Sequence, residues 1–136
     1  MRRSAERKRP RKAGEIDTQI LGRIAQSDKP VKAYEIVRKS AIDGDPLLPV
    51  QVYRSLDRLK ADGKIERVAS LNAFVPSDTD RPLHFLCTDC GSVGTAEAHE
   101  AHGLLSELCS ELGFSPREPH LEISGHCGHC EEAENE

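Results

Sequence analysis

Apolar residues recur every three or four positions in three segments of the first half of the chain, which is the spacing of helices with one buried side. The recurring positions are Ile16, Ile20 and Ile24, then Ala33, Ile36 and Val37, and then Val52, Leu56 and Leu59. Pro49 and Gly63 predict the start and the end of the third helix. The runs KIERVA and NAFVPS follow and predict a short hairpin. Three helices and a hairpin in this order predict a winged helix-turn-helix.

The pattern changes after residue 76, where the polar segment SDTDRP predicts a hinge. The runs LHFLC and PHLEIS are typical of strands, and the segment TAEAHEAHGLLSELCSELG between them is typical of a helix. The side of this helix that we expect to face a core carries Ala98, Ala101, Leu105, Leu108 and Leu112. This second part is predicted to be a small α+β unit, which is only marginally stable unless something holds it together.

The third helix also carries polar residues on the side opposite Val52 and Leu56. The stripe consists of Gln51, Arg54, Ser55 and Arg58. Such side chains reach bases and phosphates when a helix enters the major groove of DNA. An ordinary solvated helix face is the alternative interpretation, and the preceding helix, the hairpin and a basic N-terminus make it the weaker one.

Charge is distributed unevenly along the 136 residues. Residues 1–12 hold seven basic residues and one acidic residue, whereas residues 77–136 hold two basic and thirteen acidic residues. This asymmetry favours contact of the first half with a polyanion, although a basic tail that serves only solubility remains the alternative. We find no apolar stretch of membrane-spanning length and no secretory signal, which predicts a cytoplasmic protein.

Four of the five cysteines form two C-x-x-C pairs, and each pair follows a predicted strand. The pairs are Cys87 with Cys90 and Cys127 with Cys130. The second pair, C-G-H-C, has the spacing of a thiol oxidoreductase, but we expect no packed helix after it to lower the pKa of a catalytic thiol. Two strands brought together would instead present four thiolates to a zinc ion, which would stabilise the small second unit. Cys109, within the predicted helix, is interpreted as a small core residue.

Several segments resemble the ferric uptake regulator family, and in particular its zinc uptake branch. The segments are VQVYRSLDRLKADGKIERV, SLNAFV, HFLCTDCGSV and LEISGHCGHC. The resemblance covers roughly residues 30 to 130 and implies a homodimer whose winged helices bind an AT-rich inverted repeat when metal is bound. It implies that Tyr53 and Arg54 contact DNA from the recognition helix and that Tyr34 is an auxiliary contact. It also implies that the four paired cysteines hold a structural zinc ion.

The sequence departs from the zinc branch at the sensory metal site. Glu66 and Asp80 stand where that branch has histidines, Ser77 lies near its cysteine, and Thr95 replaces its glutamate. Three histidines elsewhere match or neighbour metal ligands of the family, namely His84, His102 and His120. We therefore predict a second, regulatory divalent metal held by a set drawn from Glu66, Asp80, His84, His102 and His120. His99, His126 and His129 are interpreted as surface residues.

These observations combine into a prediction of domains and function. The predicted parts are a basic flexible tail (1–14), a winged-helix DNA-binding domain (15–76), a hinge (77–82), a dimerisation and metal-binding domain (83–130) and an acidic tail (131–136). The predicted function is that of a non-enzymatic, metal-responsive repressor of zinc uptake genes that binds operator DNA as a dimer. The predicted partners are DNA and a second copy of the chain, with neither a membrane nor a small-molecule substrate. An iron- or manganese-responsive regulator and a zinc-stapled protein adaptor are the alternatives.

Overall fold

The computed structural model describes residues 11–134, so most of the predicted basic tail lies outside the described residues. The first part contains three helices and a two-stranded antiparallel hairpin. These elements are α1 (Ala13–Gln26), α2 (Ala33–Ile42), α3 (Pro49–Ala61), β1 (Ile65–Val68) and β2 (Ala73–Pro76). We call residues 13–76 the winged-helix unit. Its order of elements is the predicted winged helix-turn-helix.

The core of the winged-helix unit lies where the three helices meet the hairpin. Nearly all of the predicted apolar positions of α1, α2 and α3 are buried there, with Val37 only partly buried. Phe74 of β2 pairs with Val31 through two backbone hydrogen bonds of 2.8 and 2.9 Å, so the hairpin is fastened to the segment before α2. The hydrophobic pattern predicts this core correctly because a single chain supplies all of its layers.

The second part contains a three-stranded sheet and two helices. Along the sequence, one helix precedes the last strand and the other follows it. The elements are β3 (Pro82–Cys87), β4 (Val93–Glu97), α4 (His99–Glu111), β5 (Glu122–Gly125) and α5 (Gly128–Glu134). The strand order is β4-β3-β5, with β3 antiparallel to β4 and parallel to β5. We call residues 82–134 the C-terminal unit. The whole fold is therefore α+β, as predicted.

Two elements of the C-terminal unit differ from the sequence prediction. Residues 95–97 belong to β4 and not to the following helix, because Thr95 and Glu97 pair with His84 and Pro82 of β3. In addition, α5 occupies most of the segment that was predicted as an acidic tail, and α1 begins at Ala13, inside the predicted basic tail. Antiparallel pairing with β3 fixes β4, and local hydrophobic periodicity does not reveal such pairing.

The apolar side of α4 is exposed, which contradicts the prediction that it faces a core within the chain. Leu105, Leu108 and Leu112 are all exposed, and α4 contributes no residue to the buried core of the described chain. Periodicity correctly identifies the apolar side of a helix, but it does not say which surface covers that side.

Side-chain contacts join the two units. The backbone N–H and the hydroxyl of Ser70, in the turn between β1 and β2, donate to the carboxylate of Glu122 on β5, and the hydroxyl contact is 2.5 Å. Lys60 on α3 lies 3.5 Å from the carboxylate of Glu118. None of the described helices is both long enough and apolar enough to cross a bilayer.

Candidate metal centres and nucleic-acid interface

The four paired cysteines converge at one end of the C-terminal sheet. The sulfur atoms of Cys87 and Cys130 are 3.7 Å apart and those of Cys90 and Cys127 are 3.8 Å apart, and all four lie within 4.8 Å of one another. The parallel pairing of Cys87 with Gly125 brings the second pair beside the first. A disulfide requires sulfur atoms about 2.05 Å apart, and all four are free thiols. The arrangement has the ligand number and type of a tetrahedral zinc site.

Hydrogen bonds around the sulfur atoms favour thiolates. The backbone N–H groups of Cys90 and Cys127 donate to the sulfur of Cys87, at 3.5 and 3.4 Å. They lower the pKa of Cys87 to about 6, and the Ser92 hydroxyl lowers the pKa of Cys90. Hydrogen bonds with Cys127 and Cys87 raise the pKa of Cys130, since neighbouring thiols resist ionising together. A divalent cation would remove that conflict by neutralising the thiolates.

The expectation that no helix follows the C-G-H-C pair was wrong, because α5 begins directly after Cys127, although it is only 7 residues long. The convergence of two thiols from Cys87 and Cys90 on this pair is what favours a metal site. Cys109, predicted as a core residue, is only partly buried on α4.

A cavity of about 710 Å³ lies between the winged-helix unit and the C-terminal unit. All five predicted sensory residues line it, namely Glu66, Asp80, His84, His102 and His120. Their ligand atoms are not assembled, because no three of them within the described chain come within 4.8 Å of one another. The structure thus places the predicted residues around one space without a formed coordination sphere.

Glu66 and His84 form a buried pair of titratable side chains in this cavity. The Nε2 atom of His84, on β3, is 3.6 Å from Oε2 of Glu66, on β1, and their side chains are 5% and 14% exposed. Burial raises the pKa of Glu66 and lowers the pKa of His84. Oε2 of Glu66 is buried without a hydrogen-bond partner, whereas Nδ1 of His84 contacts the Thr95 hydroxyl at 3.0 Å. Thr95, which stands where the family has a glutamate, therefore orients His84.

The other histidines of the cavity differ in how they are held. Nε2 of His102 contacts the carbonyl oxygen of Pro82 at 2.8 Å. Because a carbonyl only accepts, Nε2 is the donor in this contact. His120 is exposed and lies 3.7 Å from the carboxylate of Glu118, a cavity residue that the sequence interpretation did not include.

Asp80 belongs to a second group of polar side chains. Its carboxylate is 3.6 Å from Nε2 of His99, and the same nitrogen is 2.5 Å from Oε1 of Glu97. His99 was interpreted from the sequence as a surface residue, and Glu97 was not considered. The antiparallel pairing of β3 with β4, which the sequence pattern did not predict, places Glu97 opposite Pro82 and hence close to Asp80.

Three of the five predicted DNA-contacting side chains project from the winged-helix unit into solvent. Tyr53 and Arg54 are exposed on α3, and Tyr34 is exposed on α2. Arg54 makes no hydrogen bond or ion pair with any other described residue. These side chains are available to a ligand outside the chain.

The remaining polar residues of α3 have partners within the chain. Ser55, predicted to face outward, is fully buried and donates to Asp17 on α1 at 2.5 Å. Arg58 forms a bidentate contact with the same carboxylate, at 2.7 and 3.0 Å, and lowers the pKa of Asp17. Oε1 of Gln51 accepts from the backbone N–H of Leu48 at 2.8 Å, at the start of α3. Arg58 and Gln51 therefore fix the position of the helix, and their contact with DNA stays a prediction.

No family model matches the chain, but individual proteins do. This chain is 29% identical over 121 residues to the zinc uptake regulation protein of Escherichia coli K12. The alignment covers 85% of this chain and 71% of that protein. The structure of holo XcZur is 31% identical, with a TM-score of 0.75 and coverage of 86% and 84%. A zinc uptake regulator in complex with zinc and DNA is 26% identical, with a TM-score of 0.80 and coverage of 88% and 83%.

A more distant structure shares the fold alone. The ferric uptake regulator of Francisella tularensis with iron is 18% identical, with a TM-score of 0.58 over 93% of this chain and 98% of that one. The sequence identity to holo XcZur over most of both chains is the stronger finding. Together with the winged helix and the four converging cysteines, it shows that the chain belongs to the ferric uptake regulator family of transcription regulators, with zinc uptake regulators among its relatives.

Proposed function

We propose that the protein is a metal-responsive repressor that binds operator DNA as a dimer, and that zinc is the metal to which it mainly responds. The observation that carries this proposal is the cavity between the two units, where a buried carboxylate oxygen of Glu66 lies 3.6 Å from His84 and has no hydrogen-bond partner among the described residues. A buried polar atom without a partner is unfavourable by itself. A divalent cation between Glu66 and the histidines would satisfy it.

Such a cation would connect two separate parts of the fold. Glu66 lies on β1 of the winged-helix unit, whereas His84 and His102 lie on β3 and α4 of the C-terminal unit. Binding would therefore favour the orientation of the winged helices in which both sets of ligands reach the metal. A ligand shifts such an equilibrium only by its difference in affinity for the two orientations, and ligands from both units supply that difference.

We assign a structural zinc ion to the four-cysteine cluster. Cys87 is the last residue of β3 and Cys90 follows it, whereas Cys127 and Cys130 lie at the start of α5, so the ion would join the two ends of the C-terminal unit. The sheet of this unit contributes few buried residues, namely His84, Leu86 and Cys87 of β3. Zinc binding would supply stability that apolar burial does not.

Contact with DNA is assigned to the exposed face formed by Tyr34, Tyr53 and Arg54. A similar protein has been seen in complex with zinc and DNA, which supports this assignment. Arg54 is unpaired within the described chain and its planar guanidinium suits a bidentate contact with guanine. Arg58, which is held by Asp17, positions α3 in this proposal and keeps its exposed edge available for a phosphate.

A second copy of the chain is assigned to the exposed apolar surface of the C-terminal unit. The surface is formed by Phe85, Leu104, Leu105, Leu108, Leu112, Phe114 and Ile123. Covering these side chains would provide the buried apolar area that stable dimers use. The surface is also the feature that an adaptor protein would use for a different partner.

The experiment is a DNA-binding titration of the zinc-loaded protein against added zinc, iron(II) and manganese(II), together with analysis of metal content. We expect one tightly held zinc ion per chain and specific DNA binding that requires a second metal. A stronger response to iron or manganese would identify the alternative regulator. Specific DNA binding that is independent of added metal would contradict the proposed response, and absence of specific DNA binding would leave the adaptor as the better account.

A further inference from the structure

A second set of ligand atoms converges at the hinge, beside the cavity between the units and sharing Asp80 with its lining. Asp80 comes from the segment before β3, Glu97 is the last residue of β4, and His99 is the first residue of α4. One imidazole nitrogen and two carboxylate oxygens lie within 4.8 Å of one another, with Nε2 of His99 contacting both carboxylates. Three different side chains from separate elements thus point to one place.

The backbone holds these three residues in position. The N–H of Ala98 donates to the carbonyl oxygen of Arg81 at 2.8 Å. Ala98 lies between Glu97 and His99, and Arg81 directly follows Asp80. The main-chain bond therefore fixes the distance between the hinge and the start of α4, and the convergence does not depend on the flexible side chains alone.

The spacing of the donor atoms fits a divalent cation. Ligand bonds of about 2.0–2.2 Å place neighbouring donor atoms roughly 3–3.6 Å apart. The 3.6 Å between His99 and Asp80 lies within that range. The 2.5 Å hydrogen bond between His99 and Glu97 would lengthen by about half an ångström when a metal replaces the shared proton.

We propose that Asp80, Glu97 and His99 form a divalent-cation site at the hinge. Two carboxylates and one imidazole form a harder donor set than thiolates, and such a set suits iron(II), manganese(II) or zinc. A cavity of about 410 Å³, lined by Asp80 and Glu97 together with Gly63, Asp78 and Thr79, leaves room for the water ligands that would complete the coordination. The side chains are half exposed or more, so the cation would exchange with solvent.

The site goes beyond the proposed function, because none of its ligands except Asp80 belongs to the predicted sensory set. A cation here would connect the hinge to α4 and so restrain the segment that links the two units. The competing arrangement is an ion pair in which a protonated His99 is shared by the two carboxylates. That arrangement needs no metal, and a metal-binding measurement distinguishes the two.

The test uses full-length protein with its cysteine site filled with zinc, and manganese(II) as the probe, counted by the EPR signal of the free ion. We expect Glu97→Gln and His99→Gln each to weaken manganese binding by at least about tenfold, since each removes a direct ligand. Glu100→Gln removes a neighbouring exposed carboxylate of α4 that is outside the cluster, and it should bind manganese as the wild type does.

A second arm separates this site from the cavity between the units. The His84→Ala/His102→Ala double variant should retain the manganese site that Glu97→Gln loses, whatever happens to its DNA response. Zinc content and circular dichroism confirm that each variant is folded. Unchanged manganese affinity in both Glu97→Gln and His99→Gln, or its loss only in the double variant, would overturn the proposal and leave the ion pair as the function of the cluster.

Discussion

At the scale of single residues, the face of α3 divides into residues that fix the helix and residues that are free to recognise a ligand. Ser55 and Arg58 share the carboxylate of Asp17 on α1, whereas Arg54 and Tyr53 have no such partner. The sequence pattern grouped Arg54 with Ser55 and Arg58, because spacing along a helix identifies a common side but not a partner on another helix.

Arg54→Ala is expected to weaken binding to the operator and to relax base preference. The loss should be about 1–3 kcal/mol if the guanidinium contacts a guanine in bidentate fashion. Binding to random DNA should change much less, and titrations of both DNAs by fluorescence anisotropy measure the difference. Equal losses on the two DNAs would show that Arg54 contacts only phosphates.

Asp17→Asn is expected to reduce the dependence of stability on acid pH. Arg58 holds the pKa of Asp17 below its usual 3.8, so the unfolded chain takes up the proton at a higher pH than the folded chain does. The carboxylate therefore stabilises the fold fully above pH 3.8, and this contribution is lost as the pH falls through the lower folded value.

Urea unfolding of the wild type and of Asp17→Asn at several pH values measures that contribution. The difference in unfolding free energy between the two proteins should shrink as the pH is lowered. A difference that is constant with pH would mean that Asp17 is not specially stabilised in the folded protein. Glu15→Gln, an exposed carboxylate in the first turn of α1, is the matched control.

At the scale of elements, α4 differs from α1 and α3 because the described chain leaves its apolar side exposed. Periodicity predicted the buried sides of α1 and α3 because both pack within the winged-helix unit. The same reasoning failed for α4 because the described chain provides no layer over it. It also missed β4, whose residues 93–97 pair with β3 although GTAE has little strand character of its own.

Leu108→Glu is expected to convert the proposed dimer to a monomer. Leu108 is 50% exposed in the single chain, so the substitution should leave the fold of one chain intact. In the dimer, each chain would place one negative charge in the interface. Each chain would also lose about 2 kcal/mol of apolar burial. Light scattering after gel filtration gives the mass, with Glu107→Gln as the control on the same helix. A dimer that persists in Leu108→Glu would place the interface elsewhere.

At the scale of the whole molecule, two candidate metal centres were predictable to different degrees. The four-cysteine cluster follows from two C-x-x-C pairs after strands that pair in the fold. The cavity residues were identified from family resemblance, but their distances and the unpartnered oxygen of Glu66 depend on how the units pack. The hinge cluster with His99 was missed because its residues are separated in sequence and meet only through the sheet register.

Cys127→Ser is expected to release the structural zinc and to unfold the C-terminal unit. Loss of one thiolate leaves three ligands, and the small sheet has little apolar burial to replace the metal. Zinc analysis and thermal unfolding followed by circular dichroism measure both effects. Retention of a dimer with unchanged thermal stability after the zinc is lost would show that the cluster does not stabilise the fold.

The central claim is that a metal in the cavity between the units controls DNA binding, and the metal dependence of operator binding by His84→Ala/His102→Ala tests it most directly. The double variant should keep its structural zinc and its dimer, because neither histidine contacts the cysteines. Since the variant lacks two of the proposed ligands and should bind the metal more weakly, half-maximal operator binding should require at least about tenfold more metal than in the wild type. A metal response identical to that of the wild type would contradict the account.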